Sequence, residues 1–144
     1  MALPKPIPGL VIRYSYLWHS EFFQGIEEGQ KERPCAIVTA IRTDEDKNLR
    51  VIVLPITHSP PQQGDLAVEI PAVVKRRLGL DDAQSWVMLT EWNDFVWPGP
   101  DLRMVSENNS VAYGMLPPSL FNTIRERFVS VASRHDAYAV LRSE

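Results

Sequence analysis

Cys35-Ala-Ile-Val-Thr-Ala-Ile41 and Val51-Ile-Val-Leu-Pro-Ile56 flank the polar interval Thr43-Asp-Glu-Asp-Lys-Asn48. Both runs are rich in β-branched residues, whose stiff side chains pack well on a pleated surface, so they read as two central strands joined by a solvent-facing hairpin connection. Pro55 has no N–H to give a ladder, so the second strand is expected to end there. Ile56-Thr-His-Ser-Pro-Pro61 then opens a loop that Gly64-Asp65 closes.

Upstream, Pro4, Pro6 and Pro8 hold the chain extended. From Leu10 to Trp18, the residues Ile12, Tyr14, Tyr16 and Trp18 share one parity and Arg13 and Ser15 the other, the pattern of a half-buried strand. Residues 19–32 turn polar around Gly25 and Gly29, a loop long enough to be a functional suspect. Downstream, Ala67 to Ile70 reads as a short strand. Pro71 before Ala-Val-Val-Lys-Arg-Arg-Leu, with Gly79 after it, marks a short helix. Strand character returns at Ser85 to Trp92, and Phe95-Val-Trp-Pro-Gly-Pro100 is an extended piece broken by turns. Asp101 to Asn109 reads as an exposed loop and Val111 to Met115 as a last strand. After Pro117-Pro118, Leu120, Phe121, Ile124, Phe128 and Val131 follow a 3.6-residue period, with Asn122, Arg125, Glu126 and Arg127 outside. This is the one long amphipathic helix. The tail, residues 133–144, is a helical extension or a docked segment.

Composition sets the limits. A chain of 144 residues, 44% hydrophobic and 23% charged, fits a single ordered domain over residues 1–144, with its core in about 8–132. Twelve prolines against seven glycines, placed between apolar runs, point to many short elements and away from a helical bundle. One cysteine excludes an intrachain disulfide, and no Cys/His spacing suits zinc, so neither metal nor cofactor is expected. No apolar run approaches the ~18 residues that span a bilayer, so a cytoplasmic protein with no membrane partner is the expectation. A net charge of −3 lacks the basic footprint of proteins that coat nucleic acid, and leaves room only for a local basic groove. Several short strands, one small helix and one longer C-terminal helix make a mainly β fold, a small curved β-barrel with a helix packed on it.

Three elements resemble the PemK/MazF family, the toxins of bacterial toxin–antitoxin pairs. They are an extended strand and glycine-containing loop leading to Arg33-Pro34 and the strand Cys-Ala-Ile-Val; the segment Val51-Ile-Val-Leu-Pro-Ile-Thr57; and a late strand with a Gly114 turn before a C-terminal amphipathic helix. The resemblance runs in order through about residues 8–132. It implies an SH3-like barrel of the PemK/MazF/CcdB type, a homodimer, single-stranded RNA as substrate, a cognate antitoxin as partner, and metal-independent, sequence-specific endoribonuclease activity. Position by position, it carries the catalytic arginine to Arg33, the hydroxyl residue to Thr57 and the accompanying carboxylate to Glu28. Where many members have Gln-Ile-Arg-Thr this chain has Thr90-Glu-Trp-Asn-Asp94, so Asn93 stands at the second basic contact.

The chemistry can be argued from the residues as well. RNA brings its own nucleophile, the 2′-hydroxyl; a protein need only take that proton, help the 5′-oxygen leave and stabilise a phosphorane. Arg33 offers a planar fork of donors that matches phosphate oxygens, and Thr57 adds a hydroxyl donor. His58, His19 or Glu28 would shuttle a proton if they share the groove. Phe22, Phe23 and Trp97, in loop contexts, are candidates for stacking unpaired bases, with Lys31 and Asn93 as further RNA contacts. Trp86 and Trp92 share a parity and read as core, and Cys35 as a buried small hydrophobe. Lys75-Arg76-Arg77 would steer RNA. The bland readings stand beside these: Arg33 as a solvated loop residue, Thr57 as a turn hydroxyl, and Lys75-Arg76-Arg77 as a solvated helix face. The rival function is a catalytically weak or inactive PemK/MazF-like or CcdB-like module that binds proteins.

Overall fold

A computed structural model of the chain describes residues 3–23, 32–42, 49–105, 110–134 and 138–142, with only the backbone of Phe22, Phe23 and Tyr138. The elements run β1 (Leu10–Ser15), α1 (His19–Phe23), β2 (Glu32–Arg42), β3 (Leu49–Thr57), β4 (Ala67–Glu69), α2 (Ala72–Leu78), β5 (Trp86–Met88), β6 (Glu91–Trp97), β7 (Ala112–Met115), α3 (Pro118–Ser133) and β8 (Tyr138–Leu141). The fold is mainly β. Its sheet follows the order β4-β5-β3-β2-β1-β7 and curls into a half-barrel, and β6 pairs with both β3 and β8. Every pairing is antiparallel except β6 with β8.

The two β-branched runs are the central pair. β2 and β3 align Cys35 with Pro55 and Ile37 with Val53. Val38 is then an additional residue before Thr39 meets Ile52, a bulge that increases local twist and helps the sheet curl. The far edge of β3 changes partner: β6 covers it through Val53 and β5 takes over at Ile56. Pro55 lies at that change, where a missing N–H is tolerated, so the strand continues to Thr57 instead of stopping at the proline as expected.

Both faces of the sheet are covered. Val11, Ala36, Leu54, Ile56 and Val87 pack under α2 and α3 with Val74, Leu78, Ile124, Phe128 and Val131. Leu10, Ile12, Tyr14, Tyr16, Cys35, Ile37, Val51, Val53 and Phe95 fill the inside of the curl. β1 is therefore buried on both sides, and half-burial is corrected: the face carrying Val11 meets a helix layer, not water. The inward positions of α3 are those its period predicts, and Trp92 meets Phe128 edge-on at 5.2 Å.

Three further expectations are corrected. Ser85 to Trp92 is divided into β5 and β6 by a break at Leu89 and Thr90. Trp97 is the last residue of β6, opposite Leu49 and packed on the inner core beside Phe95, not in a loop. The 101–109 loop is docked where it is described: Asp101 and Val105 are buried, and Leu102 bridges to Tyr14. The tail docks as a strand along β6, and Arg142 beyond it enters the core, donating to Ser15 O at 2.8 Å and pairing with Asp101 at 2.9 Å. Among the described residues no helix is long and apolar enough to cross a membrane.

Candidate functional site

Arg33, Thr57 and His58 line one pocket, of about 250 Å³, where the ends of β2 and β3 meet α2. Strand register explains the convergence. Extending the Cys35–Pro55 alignment by two residues puts Arg33 level with Thr57, and on its other side Arg33 faces Tyr14 of β1. Helix α2 adds Lys75. The helix stops at Gly79, whose φ of 74° is left-handed; the Gly79 N–H returns to Arg76 O and the Leu80 N–H to Lys75 O, reversing the chain. That reversal carries Asp81 to the pocket wall beside Lys75. Tyr113 arrives by a bulge: Val11 pairs with Gly114 and Ile12 with Ala112, so Tyr113 is the additional residue of β7, re-aimed into the pocket.

Arg33 is half-buried. Its guanidinium carbon sits 4.8 Å above the Trp18 ring, it joins no ion pair among the described residues, and its Nε is buried without a hydrogen-bond partner. A buried donor left unmade costs about 1–3 kcal/mol, and the cation–π contact of about 0.5–2 kcal/mol works against that cost. The solvated-loop reading is thus overturned. Behind it, burial pushes the Cys35 thiol far up, against the pull of Arg33 and Arg142, so this cysteine is an inert hydrophobe.

The solvated-face reading holds for Arg76 and Arg77 and fails for Lys75. Only 4% exposed, it donates to Asp81 Oδ1 at 2.7 Å, to Ser85 Oγ at 2.6 Å and to Ala83 O, while Arg76 and Arg77 face solvent. Asp81 bridges onward, its Oδ2 lying 2.8 Å from His58 Nε2. The Lys75 hydrogen bond, followed by the Lys75 and His58 charges, holds the Asp81 carboxyl below the usual carboxylate range against a partial burial penalty. Glu32, also on the pocket, is engaged by Arg13 at 2.9 Å and Arg103 at 3.4 Å. Burial raises the Tyr113 phenol. With both carboxylates and Lys75 engaged, Arg33 is the pocket's uncommitted cation.

Thr57 Oγ1 accepts from the Ser59 N–H at 3.2 Å, a turn hydroxyl as the bland reading has it, yet its hydroxyl hydrogen remains to donate. It also borders a second hollow of about 370 Å³, walled by Trp18, Pro60, Pro61, Leu66 and Met88. Other expected residues lie apart. Asn93 is fully buried: Oδ1 accepts from the Leu17 N–H at 2.9 Å and from Arg142, and Nδ2 donates to Leu17 O at 2.8 Å, so its amide clasps the backbone and faces no groove. Trp97 is packed on the inner core. Phe22 and Phe23 end α1, and His19 begins it, its N–H donating to Glu91 Oε1 at 2.9 Å. Glu28, Lys31 and His135 lie outside the described residues, as do Gly25 and Gly29.

Sequence reasoning read Lys75 only as part of a basic run on a helix face, and missed Asp81, Ser85 and Tyr113. A signal existed for Lys75: on α2, it lies beside Val74 and three residues before Leu78, on the inward stripe. The fold and pocket define a small mainly β protein with an uncommitted arginine among hydroxyls and an imidazole. The chain matches no protein-family profile and no curated protein.

Proposed function

We propose that the chain is a PemK/MazF-like endoribonuclease that cuts single-stranded RNA by attack of the 2′-hydroxyl, leaving a 2′,3′-cyclic phosphate and a 5′-hydroxyl. The observation that carries this is Arg33: a buried, unpartnered Nε at a pocket shared with Thr57 and His58. Two non-bridging phosphate oxygens match the fork of a guanidinium, and a small turn of the side chain would bring the buried Nε to them along with a terminal nitrogen. As the 2′-oxygen adds to phosphorus, the extra negative charge of the phosphorane falls against that fork. Thr57 contributes one neutral donor. The nucleophile belongs to the substrate, so the step requires no metal. By the same reading the protein acts as a homodimer in the cytoplasm, held inactive by a cognate antitoxin.

A second reading has its own support. Glu32 and Asp81 also line the pocket and reduce its attraction for a polyanion, which suits a binding module that acts through protein contacts. One experiment separates the two. Purified protein incubated with a long mixed-sequence RNA, with and without EDTA, should produce discrete fragments ending in 2′,3′-cyclic phosphate in both cases. Intact RNA at micromolar enzyme would support the binding module, and cleavage only with added Mg²⁺ would reject the mechanism.

A further inference from the structure

Beside Arg33 a relay of polar groups runs from the core to the pocket. Lys75 Nζ donates to Asp81 Oδ1 at 2.7 Å, the Ala83 N–H donates to the same oxygen at 3.2 Å, and His58 Nε2 lies 2.8 Å from Oδ2. An ionised carboxylate accepts and never donates, so the hydrogen between Asp81 and His58 sits on Nε2. In the neutral imidazole, Nδ1 is then left with a lone pair. His58 directly follows Thr57 and lines the same pocket as Arg33. The other titratable or charged groups on that pocket are Glu32, Arg33, Lys75, Asp81 and Tyr113. The Glu32 carboxylate is already paired with Arg13 and Arg103; Arg33 and Lys75 have no lone pair to offer as cations, and burial raises the Tyr113 phenol.

Resting on the endoribonuclease reading, we propose that His58 is the base that removes the 2′-hydroxyl proton, and that Asp81, itself held by Lys75, is the residue that positions it. Nδ1 takes the proton while the 2′-oxygen bonds to phosphorus. The bond from phosphorus to the 5′-oxygen breaks, the 5′-oxygen takes a proton from water, and the imidazolium returns its proton to the hydroxide so formed. Asp81 fixes the ring's orientation and tautomer and balances the charge that develops on it, the work a carboxylate does behind any histidine base. Lys75 is the buried end of the relay and keeps Asp81 ionised and in place.

The test is steady-state cleavage of a synthetic single-stranded RNA by the parent, His58→Ala, Asp81→Asn and the double variant, with and without added imidazole. The His58 side chain is 59% exposed, so His58→Ala should melt close to the parent, whereas Asp81→Asn takes the carboxylate from the buried Lys75 and should melt somewhat lower, so its rate is compared per folded protein. His58→Ala should lose about 10²-fold or more in kcat at nearly unchanged KM, and imidazole should restore a good part of it. Asp81→Asn should lose on the order of ten- to a hundredfold in kcat, and the double variant should be no worse than His58→Ala alone, because Asp81 acts through His58. A cleaving parent whose His58→Ala variant stays within about threefold, or whose two losses simply multiply, overturns the relay and leaves the endoribonuclease reading standing. A parent that cuts no RNA overturns that reading and the relay with it.

Discussion

Arg142 and Arg33 both place a guanidinium against the inner core of the same barrel, and they are held in opposite ways. Arg142, 6% exposed, is committed: it donates to Tyr14 Oη, Ser15 O and Asn93 Oδ1 at 3.3, 2.8 and 3.0 Å and pairs with a nearly buried Asp101 at 2.9 Å. It ties the strand of the tail to β1 and to the 101–105 segment, fastening one seam of the curled sheet. Arg33 has a ring beneath it and an Nε with no partner. A cation with every neighbour arranged around it is a fastener. One kept partly desolvated at a pocket, short of a hydrogen bond, is a group the fold maintains at a cost that a ligand can offset. The same residue type thus separates architecture from the candidate site.

That contrast can be broken by substitution. Arg142→Met removes one side of a buried ion pair together with the bonds donated to Tyr14, Ser15 and Asn93, so it should lower stability by about 3–5 kcal/mol and free the tail strand; chemical denaturation and hydrogen exchange over 138–142 would check it. Lys75→Met keeps the volume but leaves Ser85 Oγ without its donor and Ala83 O with the Ser85 hydroxyl alone, for a loss of about 1–3 kcal/mol, reduced because Asp81 faces solvent. Thr57→Val deletes one neutral donor. It should weaken transition-state binding by about 1 kcal/mol, several-fold in kcat/KM, while thermal melting stays near the parent's. The smallest effect concerns pH. The Asp81 carboxyl is lowered in the folded state, so its stabilisation is present above the ordinary carboxylate range and is lost as pH falls through its lowered value. The gap in urea midpoint between parent and Asp81→Asn should therefore narrow from pH 6 to pH 3; a constant gap would show that the carboxylate contributes nothing there.

Much of this fold was legible because its signals are local. The β-branched runs of β2 and β3, the Pro71 and Gly79 limits of α2, and the 3.6-residue stripe of α3 each lie within a short window of sequence. The convergence of Arg33 with Thr57 followed once the two strands paired. What escaped depends on contacts between distant segments. Pro55 reads as a strand end until β5 and β6 are seen to share one edge of β3. Asn93 reads as a groove residue until Leu17 and Arg142, distant in sequence, are seen to take its amide. Lys75 reads as part of a basic run because composition outweighs the helical phase that turns it inward, and Asp81 reaches it only through the reversal at Gly79. The aim of Tyr113 comes from a one-residue bulge that no periodicity announces.

The central claim, that Arg33 is held for a phosphate and not for the fold, is tested most directly by Arg33→Lys. Lysine keeps the charge and lacks both the planar fork and the Nε donor. The variant should melt within about 1 kcal/mol of the parent, since a weakened contact with Trp18 and the removal of the unpartnered Nε act in opposite directions, and it should still be drawn to RNA. Its single-turnover cleavage should fall by about 10²–10³-fold, the usual consequence of removing one preorganised donor from a developing oxyanion. Cleavage within about threefold of the parent, or a loss of activity that merely follows a loss of folded protein, would contradict the account.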